Sequence, residues 1–158
     1  QGAMAKMAPP LRSDGDVEAM KAGLADGTID TIATDHAPHT AQEKALPLEQ
    51  APFGIVGLET AIGLSMTILV EGGRLDLPTL VEKWTWAPAS ILGLPGGRLT
   101  PGAVGDVTIL DPECRWTVDP AAFCSKSTNT PFVGMDLVGR AVATIVAGQI
   151  VYQDGFCS

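Results

Sequence analysis

Two histidines and an aspartate lie close together in this chain of 158 residues, and no other histidine occurs in it. Asp35 is followed directly by His36 and, three residues later, by His39. A carboxylate and two imidazoles at this spacing can ligate zinc or carry protons between reacting groups. Pro38 prevents a regular helix through the pair, so the histidines are not a helical metal-binding pair. The alternative is that Asp35 caps a turn and both histidines are ordinary loop residues.

The elements before this cluster predict its place in the fold. Ser13 and Asp16 have the spacing of a helix capping box, and Gly27 suits a left-handed C-terminal cap, so we expect a helix over 13–27. The run 28–34 is rich in β-branched residues without strict alternation, which is typical of a parallel strand covered on both faces. A helix, then a strand with polar residues at its carboxyl end, is typical of a βα barrel, whose chemistry lies on that rim.

The remainder of the chain changes character near residue 97. Before that point we expect a buried helix near 58–70, a helix from Pro78 to Trp84 and a helical turn that ends at Gly93. After it, glycine and proline become frequent and short β-type runs follow, at 107–110, 116–118, 142–147 and 150–152. A hairpin turn is expected at Gly148-Gln149. The sequence therefore predicts an α/β chain with a βα segment over 5–96 and a small all-β module over 97–158.

Composition and charge exclude several classes of partner. The formal net charge is -8 at pH 7 and the isoelectric point is about 4.5, which argues against nucleic acid or an anionic membrane surface. No apolar run reaches the ~18 to 20 residues that a membrane-spanning helix needs. The first residues show no basic region followed by an apolar stretch, so we expect no secretory leader and a cytoplasmic location.

Four segments carry longer motifs: AKMAPPLRS (5–13), TIDTIATDHAPHTAQEK (28–44), APFGIVGLET (51–60) and SKSTNTPFVG (125–134). Together with LVGRAVATIVAGQIVYQDG further on, these segments resemble the C-terminal portion of class I dihydroorotases, which are members of the amidohydrolase superfamily. The resemblance covers residues 5 to 155. DHAPH alone would suit several cyclic amidohydrolases, and the addition of SKSTNTPF favours dihydroorotase over allantoinase or hydantoinase.

The resemblance implies a fold, a reaction and roles for particular residues. The fold would be the C-terminal part of a TIM-like (β/α)8 barrel over 5–96 and the C-terminal part of a small β-sandwich over 97–158. The reaction would be the reversible hydrolysis of (S)-dihydroorotate to N-carbamoyl-L-aspartate in pyrimidine biosynthesis, with one or two zinc ions that activate water. By motif match, Asp35 would ligate metal and carry the proton from water to the leaving ring nitrogen. His39, Phe53 and Gly54 would bind the substrate.

Departures from the family pattern limit what we expect of this chain. Ala8 stands where most members carry an asparagine that would contact the ring, and Ala87 stands where a T-x-N-P-A pattern is commoner. We expect the first change to weaken one substrate contact and the second to affect packing only. The H-x-H motif and the other metal ligands belong to earlier barrel strands. The chain alone is therefore expected to be inactive and not to retain zinc.

Two alternative functions stay open. One is another cyclic amidohydrolase, either an allantoinase or a dihydropyrimidinase. The other is a non-catalytic dihydroorotase-like scaffold that binds aspartate transcarbamoylase. The presence of Asp35 and His39 argues against the scaffold, whereas Ala8 keeps this alternative open. Besides binding to aspartate transcarbamoylase, the other assembly that we consider is a homo-oligomer.

Overall fold

The computed structural model describes residues 2–154, which form helices and one sheet. The helices are α1 (Asp14–Asp26), α2 (Ala41–Lys44), α3 (Ala61–Ser65), α4 (Leu77–Trp84) and α5 (Trp86–Ile91), with short 3-10 helices at Gly2–Ala5 and Pro120–Ala122 and a π-helical segment at Met66–Glu71. The strands are β1 (Val107–Thr117), β2 (Asp136–Val146) and β3 (Gln149–Gln153). Within 2–154 no helix has the length and apolar character needed to cross a membrane. The α/β class predicted from the sequence is confirmed.

Helix α1 begins and ends where the sequence predicts. The Asp16 carboxylate accepts hydrogen bonds from the backbone N of Ser13 at 3.2 Å and from its hydroxyl at 2.8 Å. The backbone N of Asp16 donates in return to Ser13 Oγ at 3.4 Å, which completes a capping box. Gly27 has a φ of 85°, the left-handed conformation that commonly ends a helix. Both ends of the element are thus determined by local hydrogen bonds and backbone conformation.

The later helices follow their predicted signals closely. Asp76 caps α4 by accepting a hydrogen bond from the backbone N of Thr79 at 2.9 Å, and proline lies in the first turn. The predicted helical turn is α5, and Gly93 follows it with a φ of 66°. The buried helix expected near 58–70 begins later, at Ala61, and continues beyond Ser65 as the π-helical segment.

The predicted strand over 28–34 is wrong for this structure, because none of these residues is assigned to a strand. A strand needs a hydrogen-bonded ladder with a neighbour, and this segment instead bonds to helices. The backbone N of Ile32 donates to Lys83 O at 3.2 Å, and Lys83 Nζ donates to Ile29 O at 2.7 Å. The first parallel pairing occurs just beyond the segment, as an isolated bridge between His36 and Ile55.

The sheet has the strand order β1-β2-β3, and β2 and β3 form an antiparallel hairpin. The first predicted β-type run lies within β1, and the second also belongs to β1 except for Val118, which follows the strand. The hairpin turn is Ala147-Gly148, one residue earlier than predicted, and both residues have positive φ (49° and 77°) as a two-residue type I′ turn requires. One sheet is present in 2–154, so the predicted β-sandwich is not confirmed.

The described residues divide into two compact units. The first comprises 2–18, 34–61 and 117–136, and the second comprises 19–33, 62–116 and 137–154. The second unit contains an apolar core built on four buried residues, Met66, Leu69, Leu75 and Leu80. The domain boundary near residue 97 stays a prediction.

Candidate functional site

Three loops that are distant in sequence meet within the first unit: 34–39, 51–57 and 125–130. The backbone N of Ala37 donates to Ile55 O at 2.9 Å, beside the parallel bridge at His36. The backbone N of Val56 donates to Asn129 O at 3.0 Å. These main-chain bonds bring together the DHAPH, APFGI and STN motifs, and all the predicted site residues lie on the first two loops.

Asp35 is exposed, and it has a φ of 46°. This is the left-handed region, which aspartate tolerates better than most residues other than glycine. The conformation turns the chain sharply between Thr34 and His36. The Asp35 carboxylate is thus presented at a bend of the first loop.

His36 is held by the backbone of the second loop. Its Nδ1 accepts hydrogen bonds from the backbone N of Gly57 at 3.1 Å and of Leu58 at 3.3 Å. A neutral imidazole that accepts at Nδ1 carries its proton on Nε2. Nε2 lies 3.5 Å from Ser125 Oγ, so the ring bridges the second and third loops.

Glu59 is bound to the same serine. The hydroxyl and the backbone N of Ser125 donate to Glu59 Oε1 at 2.5 Å and 2.7 Å. Burial raises the pKa of Glu59, but the hydrogen bonds from Ser125 and the nearby His36 outweigh burial, and the pKa lies below its ordinary value. An open cleft of about 570 Å³ adjoins the pair; its lining includes His36, Leu58, Cys124 and Lys126.

The three predicted substrate-binding residues lie side by side. His39 Nε2 donates to the carbonyl of Phe53 at 2.8 Å, and its Nδ1 lies 3.8 Å from Glu43 Oε2. The Phe53 side chain is 56% exposed, and Lys6 Nζ lies 4.5 Å from the centre of its ring. Gly54 has a φ of 123°, and a Cβ there would lie 2.5 Å from the Ala37 Cβ, so no side chain fits.

Two lysines that the sequence analysis did not single out hold the carbonyls of the second loop. Lys6 Nζ donates to Ala51 O at 2.6 Å. Lys44 is only 5% exposed, and its Nζ donates to Pro52 O at 3.0 Å and to Gly54 O at 2.8 Å. Burial, with a smaller contribution from Lys6, lowers the pKa of Lys44. The sequence contains no local indication of either role, because a lysine that binds distant carbonyls cannot be distinguished in the sequence from a surface lysine.

The described residues do not by themselves form a metal centre. No group of three or more histidine, cysteine, aspartate or glutamate side chains in 2–154 is arranged to hold a metal ion. A catalytic zinc generally has about three protein ligands. Asp35 offers one exposed carboxylate, and both nitrogens of His36 face groups of the second and third loops. This donor set does not fit a complete metal site.

Comparison with known proteins identifies the protein family of this chain. The chain belongs to the amidohydrolase family, whose sequence profile matches residues 5–152. The chain is 62% identical over 149 residues to the dihydroorotase of Citrifermentans bemidjiense, covering 94% of this chain and 35% of that protein. It is 60% identical over 151 residues to the dihydroorotase of Geobacter sp. strain M21, with 96% and 35% covered. The chain thus spans about a third of the length of these curated relatives.

Solved structures of cyclic amidohydrolases share the fold. The L-hydantoinase (dihydropyrimidinase) from Arthrobacter aurescens matches with a TM-score of 0.89 and 35% identity, over 95% of this chain and 34% of that one. The D-hydantoinase (dihydropyrimidinase) from Thermus sp. matches with a TM-score of 0.88 and 28% identity, over 96% and 34%. The sequence relatives and the structural relatives therefore agree on the amidohydrolase family.

Proposed function

We propose that the protein containing this chain is a dihydroorotase, which hydrolyses (S)-dihydroorotate reversibly to N-carbamoyl-L-aspartate in the pyrimidine pathway of the cytoplasm. The observation that carries the proposal is the contact of His39, which lies on the same loop as the exposed Asp35, with the Phe53-Gly54 segment. The identity of 62% to a protein named dihydroorotase supports it. In the whole protein, 5–96 would complete a (β/α)8 barrel and 97–158 would contribute to a β-sandwich domain.

Asp35 is the proposed proton carrier. An amide nitrogen leaves poorly until it is protonated, so one carboxylate can accept a proton from the attacking water and deliver it to the ring nitrogen. The left-handed backbone at Asp35 supports a functional role, because such conformations concentrate at active sites. Zinc is the proposed metal, with one or two ions whose other ligands lie outside this chain. It would supply Lewis-acid activation of the ring carbonyl.

His39 and the second loop are the proposed substrate-binding elements. Because His39 Nε2 donates to Phe53 O, the ring atom proposed to meet the substrate is Nδ1, in place of its present neighbour Glu43 Oε2 at 3.8 Å. Nδ1 would accept from a ring N–H when the imidazole is neutral and donate to the carboxylate when it is protonated. The exposed Phe53 ring and the backbone at Gly54 would contact the pyrimidine ring.

The decisive experiment assays the full-length protein, loaded with zinc, on dihydroorotate in both directions and on allantoin, hydantoin and dihydrouracil. We expect turnover of dihydroorotate, and a loss of ~10² to 10⁴ in both directions for Asp35→Asn, because the nearly isosteric amide cannot take up the proton. Asp30→Asn is the matched control, since Asp30 is also exposed and lies five residues earlier. It should keep the wild-type rate.

Other outcomes would favour the alternatives. Turnover of a hydantoin or of dihydrouracil in place of dihydroorotate would make the protein a different cyclic amidohydrolase, as the likeness to hydantoinase structures would allow. If the protein turned over none of the assayed substrates but bound aspartate transcarbamoylase, the non-catalytic scaffold would be favoured. We expect the 158-residue chain alone to show no activity and to lose zinc on dialysis, which metal analysis would check.

A further inference from the structure

The side chain of Asn129 is buried, with 2% of the residue exposed, and both of its polar atoms are used twice. Oδ1 accepts from the backbone N of His39 at 3.0 Å and from Ser127 Oγ at 2.8 Å. Nδ2 donates to Ala37 O at 3.0 Å and to Gly54 O at 3.2 Å. One amide therefore connects the main chain of the first loop with that of the second.

An amide is suited to this position because it combines a double donor and a double acceptor in one rigid plane. Aspartate, although isosteric, would direct lone pairs at the carbonyls of Ala37 and Gly54. Alanine would leave buried donors and acceptors without partners, which is costly in a protein interior. The four bonds together determine how far the backbone of His39 lies from that of Gly54.

We propose that Asn129 is a positioning residue for substrate binding: it holds the His39 backbone against the Phe53-Gly54 loop, so that imidazole and loop face the substrate together. It acts through these residues and is not itself a catalytic residue. The kinetic part of the inference rests on the proposed function, whereas the structural part does not. A misplacement of about 1 Å in a binding group is enough to cost on the order of 10²-fold in rate.

The neighbouring residue provides a matched control. Thr130 is equally buried, at 2% exposed, but its hydroxyl accepts from the backbone N of Phe132 at 3.3 Å within its own turn. Thr130→Val is nearly isosteric and removes one buried polar group beside Asn129. Thr130→Val therefore measures the effect on the site of disturbing the third loop while the Asn129 amide is kept.

The first test uses the two imidazoles of the chain, which long-range ¹H–¹⁵N spectra of the 158-residue protein can resolve. In the wild type both rings should be protonated at Nε2, because His39 donates to Phe53 O and His36 accepts at Nδ1. In Asn129→Asp we expect His39 to shift to a mixture of tautomers while His36 stays unchanged. Thr130→Val should change neither ring. An unchanged His39 signal in a folded Asn129→Asp would overturn the proposal.

The second test measures dihydroorotate kinetics of the zinc-loaded full-length protein. For Asn129→Asp we expect KM to rise about 10- to 100-fold, with kcat changed by less than about threefold, since binding geometry and not proton transfer is disturbed. Ser127→Ala keeps the Asn129 amide but removes the hydroxyl that contacts both Asn129 Oδ1 and the carbonyl of His39, and it should give a smaller rise in KM even if the first variant folds poorly. Thr130→Val should stay within about twofold of wild type.

The outcomes separate the two proposals. A fall in kcat with an unchanged KM in both site variants, as a mere loss of folded protein produces, would overturn the positioning role. If the wild-type protein does not turn over dihydroorotate, the proposed function fails, and the imidazole spectra still decide whether Asn129 positions His39.

Discussion

Replacement of Gly54 by alanine would add one methyl group to a backbone position that has neither the conformation nor the space for it. The φ of Gly54 is 123°, which residues with a Cβ rarely adopt. The new Cβ would lie 2.5 Å from the Ala37 Cβ and 3.2 Å from His39 Nε2. Since Ala37 has no flexible side chain to move aside, the overlap can be relieved only by a shift of one loop against the other.

The magnitude follows from two contributions. Holding a residue in a sparsely populated backbone region costs about 1 to 3 kcal/mol, and overpacking a filled site costs about 1 to 3 kcal/mol more. We therefore expect Gly54→Ala to lower the free energy of unfolding by roughly 2 to 6 kcal/mol. This is a large part of the ~5 to 15 kcal/mol that stabilises a typical domain.

Urea unfolding of the 158-residue chain would measure this loss, with Gly134→Ala as the control. Gly134 belongs to the same unit and has a φ of 76°, but a Cβ there meets no atom within 4 Å. The control should lose only the conformational part, roughly 1 to 2 kcal/mol. If Gly54→Ala were no more destabilising than Gly134→Ala, the close approach of the first and second loops would be refuted.

Two further predictions concern the stability of the chain. The lowered pKa of Glu59 means that its contribution to stability is present above the ordinary glutamate pKa, ~4.3, and is lost as pH falls through the lower folded value. The wild-type chain should therefore lose unfolding free energy as the pH is lowered from about 5 to about 3, and Ser125→Ala should lose less over the same range. An equal loss in both proteins would contradict the hydrogen bond between Ser125 and Glu59. Leu80→Ala, at a core position 2% exposed, should cost about 2 to 5 kcal/mol in urea unfolding, whereas Leu92→Ala, at 70% exposed, should cost little.

Elements with local signals were predictable, and elements that depend on distant partners were not. The capping box of Ser13 and Asp16 determines the start of α1 within three residues of chain, so the sequence pattern was sufficient. The run 28–34 has the composition of a buried strand, but a ladder needs a neighbour, and the segment bonds to helices instead. Composition alone does not show which segment, if any, a strand pairs with.

The same distinction applies to the site. His39, Phe53 and Gly54 were predicted from the family motifs, and the structure brings them into contact. Asn129 was missed, because its bond to the His39 backbone spans 90 residues. Lys44 was missed because nothing in its immediate sequence indicates that it is buried. Whether Asp35 acts in proton transfer stays a prediction.

The second loop is held by side chains that belong to other segments: Lys6, Lys44, His39 and Asn129 all bond to its carbonyls. These bonds add to the burial of three of its own side chains, Ala51, Ile55 and Val56. The Phe53 side chain differs from these three, because it is 56% exposed and its ring lies 4.5 Å from Lys6 Nζ. An exposed side chain is cheaper to replace than a buried one, so under the proposed function position 53 is where selection or protein engineering would alter the contact with the substrate ring at the lowest cost in folding.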